Sequence, residues 1–493
     1  MQRHPPRQPS RRVLLAALVV LAGALVAQPS SAAAATAASG RLARAGSAVA
    51  EREPARDARL GRPRALCVGR GSARRGRRRA RRARAVRRVH PRVVRARDAR
   101  CRRGLRRGGA PAPRRPAAPA AGARHQIAPA FFAVNVAQIF QRPDTSEHAD
   151  AALAAAAAQG VVAARADAYW EWAEPSAPVA GAHAYDWRRI DEVVLALARH
   201  GIRWQPIVAY STDWATSAPG SVAAPPQARY RSDFAAYAAA LVRRYGPSGA
   251  FWSDHPALRA LPVRTWEIWN EPNKSSFWGG HPDPAGYADL LTEASGAVRS
   301  ADPGARVVFG GQAPDGGRFL AAALAARPRV RDAFDAVAYH PYDLGVARVL
   351  AQVRDLRARL RSMGLGGTPL LLNELGWPAR DDRAQGMPGQ SERAALLAGA
   401  ATALAWSDCG VESIAPYTWM SAEQDPGDAD QWYGLWSASH GLTPGGLAYA
   451  RVVRAEVGSR DGGAAPLCAD PGGVDSTLRA TAPRAAAAGA PAG

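Results

Sequence analysis

Residues 265–274 read TWEIWNEPNK. The first six alternate and are rich in β-branched and aromatic residues, which predicts a strand, and the Asn-Glu-Pro that follows predicts a turn. Upstream, YRSDFAAYAAALVRRYG (230–246) repeats apolar residues at three and four and finishes on Arg and then Gly, as helix C-termini prefer. Similar strand-like runs recur on both sides: FFAVNVA (131–137), VVAARADAYW (161–170), IRWQPIVAY (202–210), RVVFGG (306–311), AVAYHPY (336–342), PLLLNELGW (369–377) and SIAPYTWM (413–420). Helical text such as VARVLAQVRDLRARLRSMG (346–364) separates them. Strand then helix, eight times over, predicts a parallel sheet closed as a (β/α)8 TIM barrel across residues 126–457.

In such a barrel the chemistry sits where strands end. Two of the eight runs finish in a glutamate, Glu271 after TWEIWN and Glu374 after PLLLN, and each follows an asparagine, Asn270 and Asn373. Closure of the barrel brings the fourth and seventh strand ends to opposite sides of one mouth. Two facing carboxylates are the minimum equipment for cleaving a glycosidic bond. Either glutamate alone reads equally as a loop-surface or helix-capping acid; the pair on two strand ends points to chemistry.

Arg165, on the second run, is a candidate to keep Glu374 ionised, or else an ion-pair partner inside the barrel for Glu267, which shares a strand face with Glu271 by alternation. His340 and Tyr342 close the sixth run, His340 as a residue lining a sugar subsite and Tyr342 as a donor to Glu374. All 14 tryptophans fall after residue 169. Indole rings pack on the C–H faces of sugars, so Trp419, Trp377 and Trp278 near strand ends are expected platforms, whereas Trp187 and Trp204 read as packing residues. Trp432 and Trp436, in WYGLW, suggest a rim loop. The scattered histidines lack zinc spacing, so no metal or other cofactor is expected.

WEIWNEPN resembles the acid/base motif of glycoside hydrolase clan A, LLLNELGW resembles its nucleophile strand, and AYHPY is similar to its sixth-strand His-x-Tyr motif. ARADAYWEWAEP, YDWRRIDEVVLALARHGIRWQPIVAY and YGLW are similar to family 39 members of the β-xylosidase and α-iduronidase types, and to relatives grouped with family 5 cellulases. The likeness runs in order over roughly residues 130–450. It implies a retaining double displacement on β-linked sugars, with Glu271 as general acid/base, Glu374 as nucleophile and Asn270 on the sugar 2-hydroxyl. The two carboxyls are then expected about 5–5.5 Å apart. Asn373 stands where Thr is more usual. Strict alternation would point Asn270 and Glu271 oppositely, so a bulge or turn is expected there.

The formal net charge of +24 suggests nucleic-acid binding until it is located. Residues 41–125 hold 29 Arg against 4 acidic residues, and the remainder from 126 onward is slightly negative. That Arg-rich segment, with the domain boundary set at 36–125, has almost no aromatic residues and no apolar period, so it reads as disordered. It reads also as a polycationic tether to anionic cell-wall polymer, or as text from a wrongly framed GC-rich gene. Specific nucleic-acid binding is not expected. Residues 1–35, with Arg3, Arg7, Arg11 and Arg12 ahead of VLLAALVVLAGALVA and a small-residue stretch, read as a cleaved signal peptide. The Sec route is favoured over the twin-arginine route that SRRVLL suggests, and a secreted monomer is expected. Cys409 and Cys468 can pair, while Cys67 and Cys101 lie in the basic stretch. The Ala/Gly/Pro-rich tail, 458–493, reads as loosely ordered.

Two other readings compete with hydrolysis: a barrel that binds glycan without cleaving it, and a function carried by the polycation alone, as attachment to a cell surface or nucleic acid.

Overall fold

The computed structural model describes residues 126–459, apart from Arg142, Val222, Asp381 and 383–385, together with residues 466–469. The signal-peptide and Arg-rich readings, Cys67, Cys101 and most of the tail therefore lie outside the described residues.

All eight strand-like runs are strands: β1 Val134–Asn135, β2 Ala163–Ala168, β3 Arg203–Val208, β4 Thr265–Asn270, β5 Arg306–Gln312, β6 Ala336–Tyr339, β7 Leu370–Leu375 and β8 Val411–Pro416. They pair in parallel in sequence order from β1 to β8. A parallel bridge between Phe132 and Ile414 and the Ala133 N–H donating to the Ile414 carbonyl at 2.9 Å join the last strand to the first. The expected (β/α)8 barrel is thus the fold.

One main helix follows each strand: α1 Ala149–Ala158, α2 Arg188–Arg199, α3 Arg231–Tyr245, α4 Pro284–Ala301, α5 Arg318–Ala326, α6 Val346–Ser362, α7 Gln390–Ala405 and α8 Pro444–Glu456. Their faces follow from residue spacing. In α2, Ile190, Val193, Val194, Leu197 and Ala198 form one buried stripe that packs on the sheet. Helix starts are capped where the sequence supplies an oxygen: Asp283 accepts from the Ala285 N–H before α4, and Thr443 from the Gly446 N–H before α8. Pro284 and Pro444 follow those caps, where a missing N–H costs nothing. Among the described residues, no helix is long and apolar enough to cross a membrane.

Inside the barrel, small residues fill two apolar clusters, Ala133, Ala163 and Ala415 on one side and Val308, Ala336 and Ala338 on the other. A buried polar group, Arg165, Glu267 and Asn373, shares this interior and reaches the site described below. Cys409 and Cys468 are joined by a disulfide that spans 59 residues of sequence and fastens one part of the tail to the barrel. Asp408 Oδ1 accepts from the Cys468 N–H at 2.6 Å beside it.

Candidate active site

Strand β4 delivers its last residues by leaving regular geometry. Pairing with β5 runs from Thr265↔Arg306 to Ile268↔Phe309 and resumes at Asn270↔Gly311. At the interruption Trp269 has φ +69°, and Glu271 beyond the strand has φ +42°. Both values are unusual for side-chain-bearing residues. Trp269 packs edge-on against Phe234 of α3 and against Trp278, on the helix side of the sheet. Asn270 and Glu271 consequently both serve the mouth, as the expectation of a bulge or turn required. The glycines of RVVFGG make room for this. A Cβ at Gly310 would lie 2.4 Å from the Trp269 carbonyl oxygen, and one at Gly311 would lie 2.1 Å from His340 Nε2.

At the mouth, Glu271, His340 and Glu374 each present an atom within 4.8 Å of the other two. The two carboxylates, just past the end of β4 and near the end of β7, therefore face each other across one site. Glu374 accepts from Arg165 Nη1 at 2.5 Å and from the Tyr342 hydroxyl at 3.0 Å. Burial pushes the Tyr342 hydroxyl well above its ordinary range, and the Glu374 charge pushes it further, so the phenol keeps the proton it donates.

Arg165 contacts both of the partners that the sequence left open. Its Nε and Nη2 hold Glu267 at 2.8 and 2.9 Å, while Nη1 reaches Glu374. Burial opposes the guanidinium charge, but Glu267 and then Glu374 outweigh it and hold its proton more tightly than usual. Glu267 is saturated, accepting also from Asn373 Nδ2 at 2.6 Å and from the Gly311 N–H at 2.9 Å. Arg165 Nη2 donates to Asn270 Oδ1 at 2.8 Å, which fixes that amide and leaves its Nδ2 as the outward donor.

Glu271 has a nitrogen on each oxygen, His340 Nδ1 on Oε1 at 3.1 Å and Lys274 Nζ on Oε2 at 2.9 Å. Burial works to raise this carboxyl, but hydrogen bonding and charge from His340, then Lys274, hold it below the usual carboxylate range. His340 is fully buried and its Nδ1 also lies 3.6 Å from Glu374 Oε2, so it braces the carboxylates from beneath and does not line a sugar subsite.

The three expected tryptophan platforms are placed otherwise. Trp419 is fully buried and donates from Nε1 to the Ala152 carbonyl of α1 at 2.7 Å, away from the mouth. Trp377 is also buried, with 4% of its surface exposed. Trp278, similarly covered, borders a cleft of about 280 Å³ that it shares with Gln227, Arg231 and His281. Aromatic rings at the mouth come from tyrosines. Tyr433, of the WYGLW stretch, packs edge-on to Tyr342 at 6.2 Å and to Tyr417 at 5.4 Å. Gln138 Nε2 donates to the Tyr417 hydroxyl at 2.6 Å. Trp204 is core, as expected, with Nε1 on the Ala166 carbonyl.

Three acid or base groups were missed by the sequence reading. Asp167 lies on the same face of β2 as Arg165, a relation that the alternation of ARADA carries. Its Oδ2 accepts from Gln141 Nε2 at 2.8 Å, and burial, then the Glu374 charge, pushes it up to about 7 against the pull of Arg165. Asp430, in the loop after β8, is pushed up to about 6 by desolvation and by Asp428 and Glu374. Lys274 is the third; its sequence signals are its place three residues after Glu271 and its being the one lysine of the chain.

No protein-family model and no curated protein sequence matches the chain. Solved structures do. Over 69% of this chain and 69% of the other, it superposes on the GH39 enzyme from Xanthomonas axonopodis pv. citri with a TM-score of 0.53 at 19% identity. A monomeric beta-xylosidase from Caulobacter crescentus CB15 gives 0.51 at 19% identity, covering 66% of this chain and 68% of that one. A glucosidase from Croceicoccus marinus gives 0.51 at 16%, covering 67% and 68%. At these identities the likeness is one of fold, and the fold they share with this chain is the (β/α)8 barrel described above.

Proposed function

We propose that the chain is a retaining glycoside hydrolase that cleaves O-glycosidic bonds of β-linked oligo- or polysaccharides, with Glu374 as nucleophile and Glu271 as general acid/base. The observation that carries this reading is that Glu271 and Glu374 meet at the C-terminal mouth of one barrel, an oxygen of one within 4.8 Å of an oxygen of the other. A retaining pair needs about 5–5.5 Å, whereas an inverting pair needs at least about 6.5 Å to admit a water between them. The solved glycosidases that share the fold support the same reading.

In the first step, Glu374 attacks the anomeric carbon and forms a glycosyl ester as the bond to the leaving oxygen breaks. Glu271 gives that oxygen its proton. In the second step Glu271 takes a proton from water, whose oxygen displaces Glu374 and returns it as the carboxylate. Arg165 and Tyr342 aim the Glu374 carboxylate through two charge-assisted hydrogen bonds. The Asn270 Nδ2 donor, oriented by Arg165, is suited to the sugar 2-hydroxyl. Export of the chain, and attachment of its Arg-rich segment to anionic cell-wall polymer, belong to the same proposal.

The test is hydrolysis of a panel of aryl β-glycosides and β-linked polysaccharides by the wild-type chain, Glu271→Gln and Glu374→Gln. Activity is expected to vanish in Glu374→Gln. It is expected to fall about 10²–10⁴-fold in Glu271→Gln on substrates that need protonation. Undiminished turnover in Glu374→Gln would refute the assignment.

A further inference from the structure

The chain holds 65 lysines and arginines, and only one of them is a lysine, Lys274. It sits three residues beyond Glu271 with its ammonium 2.9 Å from Glu271 Oε2 and its side chain about one-third exposed at the cleft. The other oxygen, Oε1, is occupied from below by His340 Nδ1. His340 itself is fully buried, and its Nε2 has no hydrogen-bond partner among the described residues. Lys274 sets an ammonium on the oxygen that His340 does not hold. Lys274 is about one-third exposed and His340 fully buried, so Oε2 is the oxygen on the solvent side. The ammonium thus occupies the position that a proton on that oxygen would take.

We propose that Lys274 is a positioning residue for the acid/base: seated on Oε2, it governs when that oxygen carries a proton and so sets the upper pH limit of turnover. This rests on the glycosidase reading above. The groups that face the pair are His340 from β6, Glu374 from β7 and Asp430 from the loop after β8. Burial opposes the ammonium's charge, but Glu271 and, further off, Glu374 and Asp430 hold its proton on. With Lys274 in place, Glu271 is biased toward the carboxylate, the form that activates water in the second step. The first step then requires low pH, a leaving group that needs no proton, or displacement of the ammonium by the bound leaving group.

The test pairs kinetics with a direct titration on the full chain. For a phenyl β-glycoside, whose leaving group needs protonation, the alkaline limb of kcat/KM is expected to move up by about one pH unit or more in Lys274→Met, a tenfold gain at fixed alkaline pH, and to stay in place in Lys274→Arg. For the 2,4-dinitrophenyl glycoside, whose leaving group needs none, the variants should share one alkaline limb. Independently of turnover, carbon-13 NMR of carboxyl-labelled glutamate, with the Glu271 signal identified by its loss in Glu271→Gln, should show that carboxyl titrating at higher pH in Lys274→Met than in wild type. Coincident titrations in the two proteins would overturn the proposal. A wild-type chain with no glycosidase activity but a shifted Glu271 titration would fault the functional reading and leave the coupling of Lys274 to Glu271 standing.

Discussion

Arg165 and Glu267 form a two-pronged ion pair inside the barrel, at 2.8 and 2.9 Å, from strands whose sequence positions are 102 residues apart. The remaining nitrogen of the guanidinium reaches Glu374, so one buried cation ties the interior of the barrel to its reactive end.

Removing that cation leaves Glu267 buried without its counter-charge. Arg165→Met is expected to lower the unfolding free energy by about 3–5 kcal/mol, and Arg165→Met with Glu267→Met to recover part of the loss, because a buried apolar pair costs less than one stranded charge. Denaturant unfolding of the two variants checks this, and equal losses in both would contradict it.

Tyr342 touches Glu374 through a single hydrogen bond of 3.0 Å. Tyr342→Phe keeps the ring and removes only the donor. Hydrogen bonds to charged groups contribute about 1.5–3 kcal/mol, so kcat/KM is expected to fall about 10- to 100-fold while the unfolding midpoint barely moves. Steady-state kinetics beside a melting curve reads both.

Asp167 carries a pH signature. Its carboxyl, ordinarily near 3.8, is pushed up to about 7 in the folded chain, so between those values the native state holds a proton that the unfolded state has lost. Its contribution to stability is therefore present at low pH and is lost as pH rises through about 7. Asp167→Asn should remove that loss. The stability difference between Asp167→Asn and wild type, measured by denaturant unfolding at pH 5 and pH 8, should shift in favour of the variant at the higher pH; a constant difference would contradict it.

The Cys409–Cys468 disulfide closes a loop of 59 residues, which by chain entropy contributes about 4 kcal/mol. Cys468→Ser is expected to lose a sizeable part of that in equilibrium unfolding under non-reducing conditions, with the barrel still folded at 25 °C. A variant as stable as wild type would show that the anchored tail adds nothing.

The barrel was legible because parallel strands buried on both faces read as apolar runs, and each run here ends in turn text, as PLLLNELGW does. The facing of Glu271 and Glu374 followed from strand order alone. Arg165 offered two partners by sequence and takes both, since a guanidinium has enough donors for Glu267 and Glu374 together. Side-chain aim beyond the strand ends was not legible. In PYTWM the residue at the mouth is Tyr417, and Trp419 two places on turns under α1, because the chain leaves strand periodicity after Pro416. Lys274 escaped notice for the same reason: its contact with Glu271 is made by a turn, and turns obey no period that a sequence pattern displays.

The most direct test is to trap the intermediate. A 2-deoxy-2-fluoro glycoside with an activated leaving group, matched to the sugar the enzyme accepts, slows the second step and lets the glycosyl ester accumulate. Mass spectrometry of the digested protein should then find the added sugar on the peptide that carries Glu374, with the unlabelled enzyme releasing product of retained configuration. A label on another residue, or inverted product with no label, would contradict the assignment of Glu374 as nucleophile.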